Sequence, residues 1–246
     1  MKLSGRAFVI LLAVAGLGIL VVTDQVVPPA TTYQAQMRDW LAARATGLTA
    51  LVLLAAMVVL GILLSHPEQA QWKQAKRIYP WHETLWTFVL AFLAIHIVAI
   101  VLDPYANVSV IGALVPGMSK FRSVPVAIGS IGLYAVIVTG ATARWTRLLP
   151  QGFWLKLHRF SVVALALGWI HGALSGTDTG ALRLVYWGIA VTVVGAAAYR
   201  YWIVRRRADR HADRRPDRAH QPTRAAGPMP VPVPVPARDL VEESDV

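Results

Sequence analysis

The chain has 246 residues, 56% of them hydrophobic and only 15% charged, with 24 Lys and Arg against 13 Asp and Glu and no cysteine. The apolar residues come in long blocks, which excludes a soluble domain with a wet surface and defines an integral membrane protein. The absence of cysteine excludes disulfides, thiolate catalysis, Cys-ligated zinc, iron–sulfur clusters and covalent c-type haem attachment. A net charge of +11 would point to nucleic acid in a soluble protein. Here the main arginine cluster follows the last apolar block and reads as a cytoplasmic flank, so no nucleic-acid partner is expected.

Six apolar blocks follow one another at residues 7–27, 46–64, 82–102, 124–142, 158–174 and 182–204. Each is close to the ~20 residues that a membrane-spanning helix requires. They lack strand alternation and are too long for barrel strands. The expected fold is all-α, an integral membrane bundle of six transmembrane helices in the plasma membrane, surrounded by lipid. Three parts are expected: an N-terminal helix with an external segment (1–45), a transmembrane domain (46–204) and a cytoplasmic tail (205–246). The first block follows Lys2 and Arg6 and reads as a retained helix rather than a cleaved signal peptide.

Basic residues orient the bundle. Lys73, Lys76 and Arg77, then Arg144, Arg147 and Lys156, then Arg205, Arg206 and Arg207 occupy alternate connections and the end of the last block. The opposite connections carry fewer: Arg38 and Arg44, Lys120 and Arg122, and Arg183. By the positive-inside rule both termini are cytoplasmic, and the first, third and fifth blocks run outward. Residues 104–123, with Pro104, Pro116 and Gly117, form an external segment with room to line an entrance, whereas SGTDTG at 175–180 reads as a tight external turn. From Ala208 onward the composition turns to Arg, Asp, Pro and Ala, with PMPVPVPVP at 228–236. This tail is expected to be disordered, with a short polyproline II section.

Four histidines fall inside or at the head of apolar blocks: His82 and His96 in the third, His158 and His171 in the fifth. An ionisable residue in a spanning segment is costly and ordinarily faces the protein interior or a ligand. At ~1.5 Å per residue the two spacings, fourteen and thirteen positions, cover ~21 and ~20 Å. His82 then lies level with His158 near the cytoplasm, and His96 with His171 nearer the outside. Imidazoles from two facing helices can ligate one haem iron from opposite sides, an arrangement suited to electron transfer. The angular register agrees less well. Fourteen positions fall ~40° short of four turns, so His82 and His96 share a face, but thirteen fall ~140° short. A bulge, helix tilt, or a His158 placed just before the regular helix would reconcile the second pair.

Other chemistries fit these residues poorly. A histidine zinc site needs three or four ligands around one ion, and a proton relay ordinarily recruits buried carboxylates, whereas Glu83 and Asp103 stand at helix ends. A non-haem transporter or scaffold with histidines lining a polar cavity remains the alternative. Gly129, Gly132, Gly140, Gly168 and Gly172 suit either close helix packing or the approach of a flat macrocycle. His66, His211 and His220 read as solvated.

With His82 and His96 in one helix, His158 and His171 in another, and WLKLHRF at 154–160, the chain resembles the ferric reductase-like transmembrane domain family over roughly residues 46–201. That family includes the membrane halves of ferric-chelate reductases and NADPH oxidases and the haem subunit of methionine sulfoxide reductase systems. The resemblance implies two b-type haems, held by His82 with His158 and by His96 with His171, carrying electrons outward. Arg159 then stands either as partner to a propionate of the inner haem or as a positive-inside anchor. Lys120 and Arg122 stand on the outer side either as partners of an outer propionate or an anionic acceptor, or as ordinary loop charges. Oxidase and chelate-reductase members continue into a flavin- and nicotinamide-binding module, whereas residues 205–246 carry no G-x-G-x-x-G and no strand–helix alternation. The implied activity is that of an oxidoreductase component. A separate flavoprotein or membrane quinol would supply its electrons, and a ferric chelate or exported oxidoreductase would accept them outside.

Overall fold

A computed structural model describes residues 30–65, 75–150, 152–176 and 179–213, with single positions at 10, 14 and 18. The expected helix at 7–27 therefore lies almost wholly outside the described residues, as do His66, His220 and residues 214–246. Among the described residues the chain is all-helical. The long helices are α1 (Thr32–Leu64), α2 (Ala75–Leu102), α4 (Ser123–Arg144), α6 (Ser161–Ser175) and α7 (Arg183–Asp213). Short helices α3 (Val110–Leu114) and α5 (Phe153–His158) precede α4 and α6, and a single 3-10 turn at Thr146–Leu148 follows α4. Among the described residues five segments are long and apolar enough to cross a membrane: α1, α2, α4, α5 with α6, and Arg183–Asp209 of α7.

The boundaries depart from the apolar blocks in four places, one being the start of α2 at Ala75, seven residues ahead of its block. Residues 32–45, expected as part of an external segment, are helical and continuous with the second block. Thr31 Oγ1 caps the new start by accepting the Gln34 N–H (3.1 Å), and the Gln, Ala, Met and Leu that follow are good helix formers. At the other end, α7 runs nine residues past 204, through Arg205–Arg207 to Asp213, so the first part of the expected tail is helical. Arginine and alanine extend a helix readily once it is nucleated. The fifth block is not one helix. It breaks at Arg159 and Phe160, where i→i+3 bonds such as Phe160 N–H to Leu157 O (3.0 Å) and Val163 N–H to Phe160 O (2.9 Å) replace the regular ladder.

Side-chain ties show which helix ends lie together. Arg144 at the end of α4 reaches Glu83 near the start of α2 (3.5 Å), and Arg200 of α7 donates to Ser65 Oγ after α1 (3.0 Å). At the opposite end Arg122 donates to the Leu174 carbonyl of α6 (2.7 Å), supplying a cation and a donor to the orphan carbonyls of a helix C-terminus. Arg122 is itself left-handed (φ 40°) as it turns the chain into α4.

Within this frame α1 packs along α2, α4 along α6, and α1 also touches α6. Their shared core holds Leu54, Met57, Val58, Val89, Val136, Ala164 and Leu165, all buried. Val89 is fully buried, and it stands seven residues from His82 and seven from His96. A dry aliphatic plug therefore separates the two histidine levels. Three of the glycines considered above serve packing: Gly132 admits Leu167, Gly172 admits the Tyr186 hydroxyl, and Gly140 lies against the Trp86 indole. A Cβ at Gly140 would collide with that ring. Gly140→Ala is expected to destabilise the bundle by about 1–3 kcal/mol, as overpacking does, read as a lower thermal midpoint in detergent; an unchanged midpoint would contradict this packing.

Candidate functional site

The four histidines come together as two pairs. The rings of His82 and His158 have centres 6.0 Å apart and planes at 85°; those of His96 and His171 are 6.3 Å apart at 80°. The break at 159–160 accounts for the second pair of spacings. His158 is the last residue of α5, outside the regular helix α6, so its direction is not tied to the ~100° steps that carry His171.

Each ring is held in the same way, by donation of its Nδ1–H to a backbone carbonyl of a neighbouring helix. His82 donates to Met57 (2.9 Å) and His96 to Ala43 (2.8 Å), both on α1; His158 donates to Thr139 (3.3 Å) and His171 to Pro125 (2.8 Å), both on α4. The Ser175 hydroxyl also lies 3.2 Å from Nδ1 of His171. A carbonyl can only accept, so the proton sits on Nδ1 and the lone pair is left on Nε2. This is the tautomer of a metal-ligating histidine whose orientation is fixed by an outer-shell acceptor. The carbonyls repeat at a spacing of fourteen on both receiving helices, 43 to 57 and 125 to 139, or ~21 Å at 1.5 Å per residue.

A glycine stands four residues after three of these carbonyls. A Cβ at Gly47 would lie 2.9 Å from Nδ1 and Cε1 of His96, at Gly61 3.2 Å from Cε1 of His82, and at Gly129 2.5 Å from Nδ1 of His171. In a helix, residue i+4 covers the carbonyl of residue i. Removing its side chain opens a notch through which an imidazole reaches that carbonyl. The fourth register position is Ala143, and the bond there, to Thr139, is the longest of the four. Gly47 and Gly61 carry no sequence motif; their signal was a spacing of fourteen, the same as that of His82 and His96.

Around His96 and His171 lies a cavity of about 190 Å³, measured as space open to the centres of water molecules. At roughly 10–15 Å³ per water on that measure, it has room for a ligand much larger than a single ion. Its walls are mostly aliphatic and glycine, among them Leu51, Leu54, Val89, Leu93, Val136 and Gly168. Arg44, next to the carbonyl-bearing Ala43, is in the wall, and Gly176 leaves space for its guanidinium. Arg159 is exposed on the turn after His158.

Among the described residues no three His, Asp or Glu side chains converge as a metal site. A metal held at either level would therefore take two protein ligands. With imidazole–metal bonds of about 2 Å on each side, two ring centres across one ion stand about 6 Å apart, the spacing of both pairs. The donor set fits a metal whose remaining positions are filled by a macrocycle. No family model, curated protein or solved structure matches the chain.

Proposed function

We propose that the chain is a transmembrane electron-transfer protein holding two b-type haems, one between His82 and His158 and the other between His96 and His171. The observation that carries this reading is the common tautomer of four imidazoles, paired at about 6 Å with Nδ1 on a carbonyl and Nε2 left as a ligand. When bound, haem iron supplies one-electron exchange between its ferric and ferrous states.

The chain's own residues do the rest. The carbonyls of Met57, Ala43, Thr139 and Pro125 hold the protons on Nδ1, which fixes ring orientation and raises ligand basicity. Val89 and its neighbours exclude water between the levels. Arg44 would orient a carboxylate-bearing ligand at the His96 level by a charge-assisted bond, and Arg159 would do so at the His158 level. In the orientation set by the basic flanks, six helices cross the membrane with both termini cytoplasmic. A flavoprotein or quinol supplies electrons on the His82 side, and an external acceptor takes them on the His96 side. A non-haem transporter with a polar cavity draws less support, because the cavity wall at His96 and His171 is largely aliphatic.

The test is a dithionite-reduced minus oxidised spectrum of purified protein from haem-replete cells. Sharp bands of a low-spin b-type centre are expected. Their absence would sink the haem reading and leave the transporter.

A further inference from the structure

Between α2 and α4 the chain makes a strap, residues 104–119, that contains α3 and has no charged residue between Asp103 and Lys120. One face covers the cavity: Ala106, Val108 and Ala113 line it. From Val110 to Met118 the other face is also apolar and is exposed, with Val110 at 56%, Ile111 at 61%, Val115 at 45% and Met118 at 60%. An external loop in water has no reason to be apolar on both faces.

The position of the strap gives the reason. Helix α4 has 22 residues, about 33 Å, close to the ~30 Å of a hydrocarbon core, so its start at Ser123 marks the boundary of the core. Ser130 lies seven residues inside, about 10 Å along the axis, and its hydroxyl donates to the Ala113 carbonyl (2.8 Å). Tyr134, a turn deeper, donates to the Leu114 carbonyl (2.6 Å). The end of α3 is thus tied well below the start of α4. Several other polar groups of the strap are satisfied internally, as hydrocarbon demands of irregular backbone. Gly112 N–H donates to Ser109 Oγ (3.0 Å), Met118 N–H to the Val115 carbonyl (3.1 Å), and Ser123 Oγ to the Gly117 carbonyl (3.2 Å).

We propose that residues 104–119 form a re-entrant strap whose outward face, Val110, Ile111, Val115 and Met118, is seated among lipid acyl chains, roofing the His96–His171 cavity at membrane depth. On α4, Ile131, Tyr134 and Val138 are exposed and apolar or aromatic, and Tyr134 reaches the end of α3 at Leu114. The inference does not depend on haem, only on the bundle spanning a membrane.

Because the chain has no cysteine, single cysteines can be labelled with a nitroxide without background. Ile111→Cys and Val115→Cys, reconstituted in phosphatidylcholine–phosphatidylglycerol vesicles, are compared with Ile131→Cys as the lipid reference and Asp209→Cys as the water reference. Spin relaxation by oxygen and by a water-soluble nickel chelate is measured. Both strap labels are expected to match Ile131, with relaxation by nickel lost and relaxation by oxygen retained; if one variant does not fold, the other reads the same face. Nickel relaxation equal to that at Asp209 would overturn the proposal and leave the patch as a protein-docking surface in water. Adding Tyr134→Phe should increase label mobility at Ile111, since no water can replace the phenol on the Leu114 carbonyl. Unchanged mobility would contradict burial in lipid.

Discussion

His96→Ala and His171→Ala are each expected to yield protein with half the haem of the parent, the remaining haem keeping the parent's low-spin spectrum. The two levels are about 21 Å apart along α1 and α4, as judged by the carbonyls that hold the rings. Val89, fully buried, and the aliphatic residues packed with it lie between them. Loss of one imidazole removes a ligand at its own level without touching the other pair. His82→Ala and His158→Ala should show the converse, with the His96–His171 haem retained. The measurement is pyridine-haemochrome content per chain, with reductive titration to identify the surviving centre. Equal loss of both haems from every single variant would contradict two independent levels. No loss from any of them would contradict histidine ligation itself.

Gly129→Ala, which removes no proposed ligand, should nevertheless weaken haem binding at the His171 level by about 10–100-fold, the usual effect of disturbing an outer-shell partner. A Cβ there would lie 2.5 Å from Nδ1 of His171, so the ring must leave the Pro125 carbonyl. Gly47→Ala, with its Cβ 2.9 Å from the His96 ring, should act in the same direction, and Gly61→Ala, at 3.2 Å from His82, least. Haem titration of apoprotein, followed at the wavelength of the low-spin band, reads the order. The glycines would be simple helix-packing residues if all three variants bound haem as the parent does.

The histidine levels were legible in the chain because helical rise converts fourteen residues directly into a depth. What holds the rings was not. Backbone carbonyls at 43, 57, 125 and 139 leave no trace in residue type, and the notches at Gly47 and Gly61 resemble the ordinary small residues of a membrane helix. The break between α5 and α6 was hidden for a related reason. Arg159 and Phe160 are neither glycine nor proline, so only the misfit of thirteen residues to helical period hinted that His158 stands outside α6. Residues 32–45 read as an external segment before the apolar block at 46–64, yet α1 begins at Thr32 and buries Asp39. Tertiary placement there outweighed polarity. The strap at 104–119 was legible as something lining an entrance. Its depth depended on Ser130 and Tyr134 of α4, which no local pattern joins to Ala113 and Leu114.

Haem stoichiometry, with electron paramagnetic resonance of the oxidised protein, tests most directly the proposal that His82 with His158 and His96 with His171 would each hold a haem. Two haems per chain and two low-spin ferric signals, each lost with its own histidine pair, are the predicted result. Protein from haem-replete cells that carries no haem, or whose haem is high-spin and indifferent to all four histidines, would contradict it.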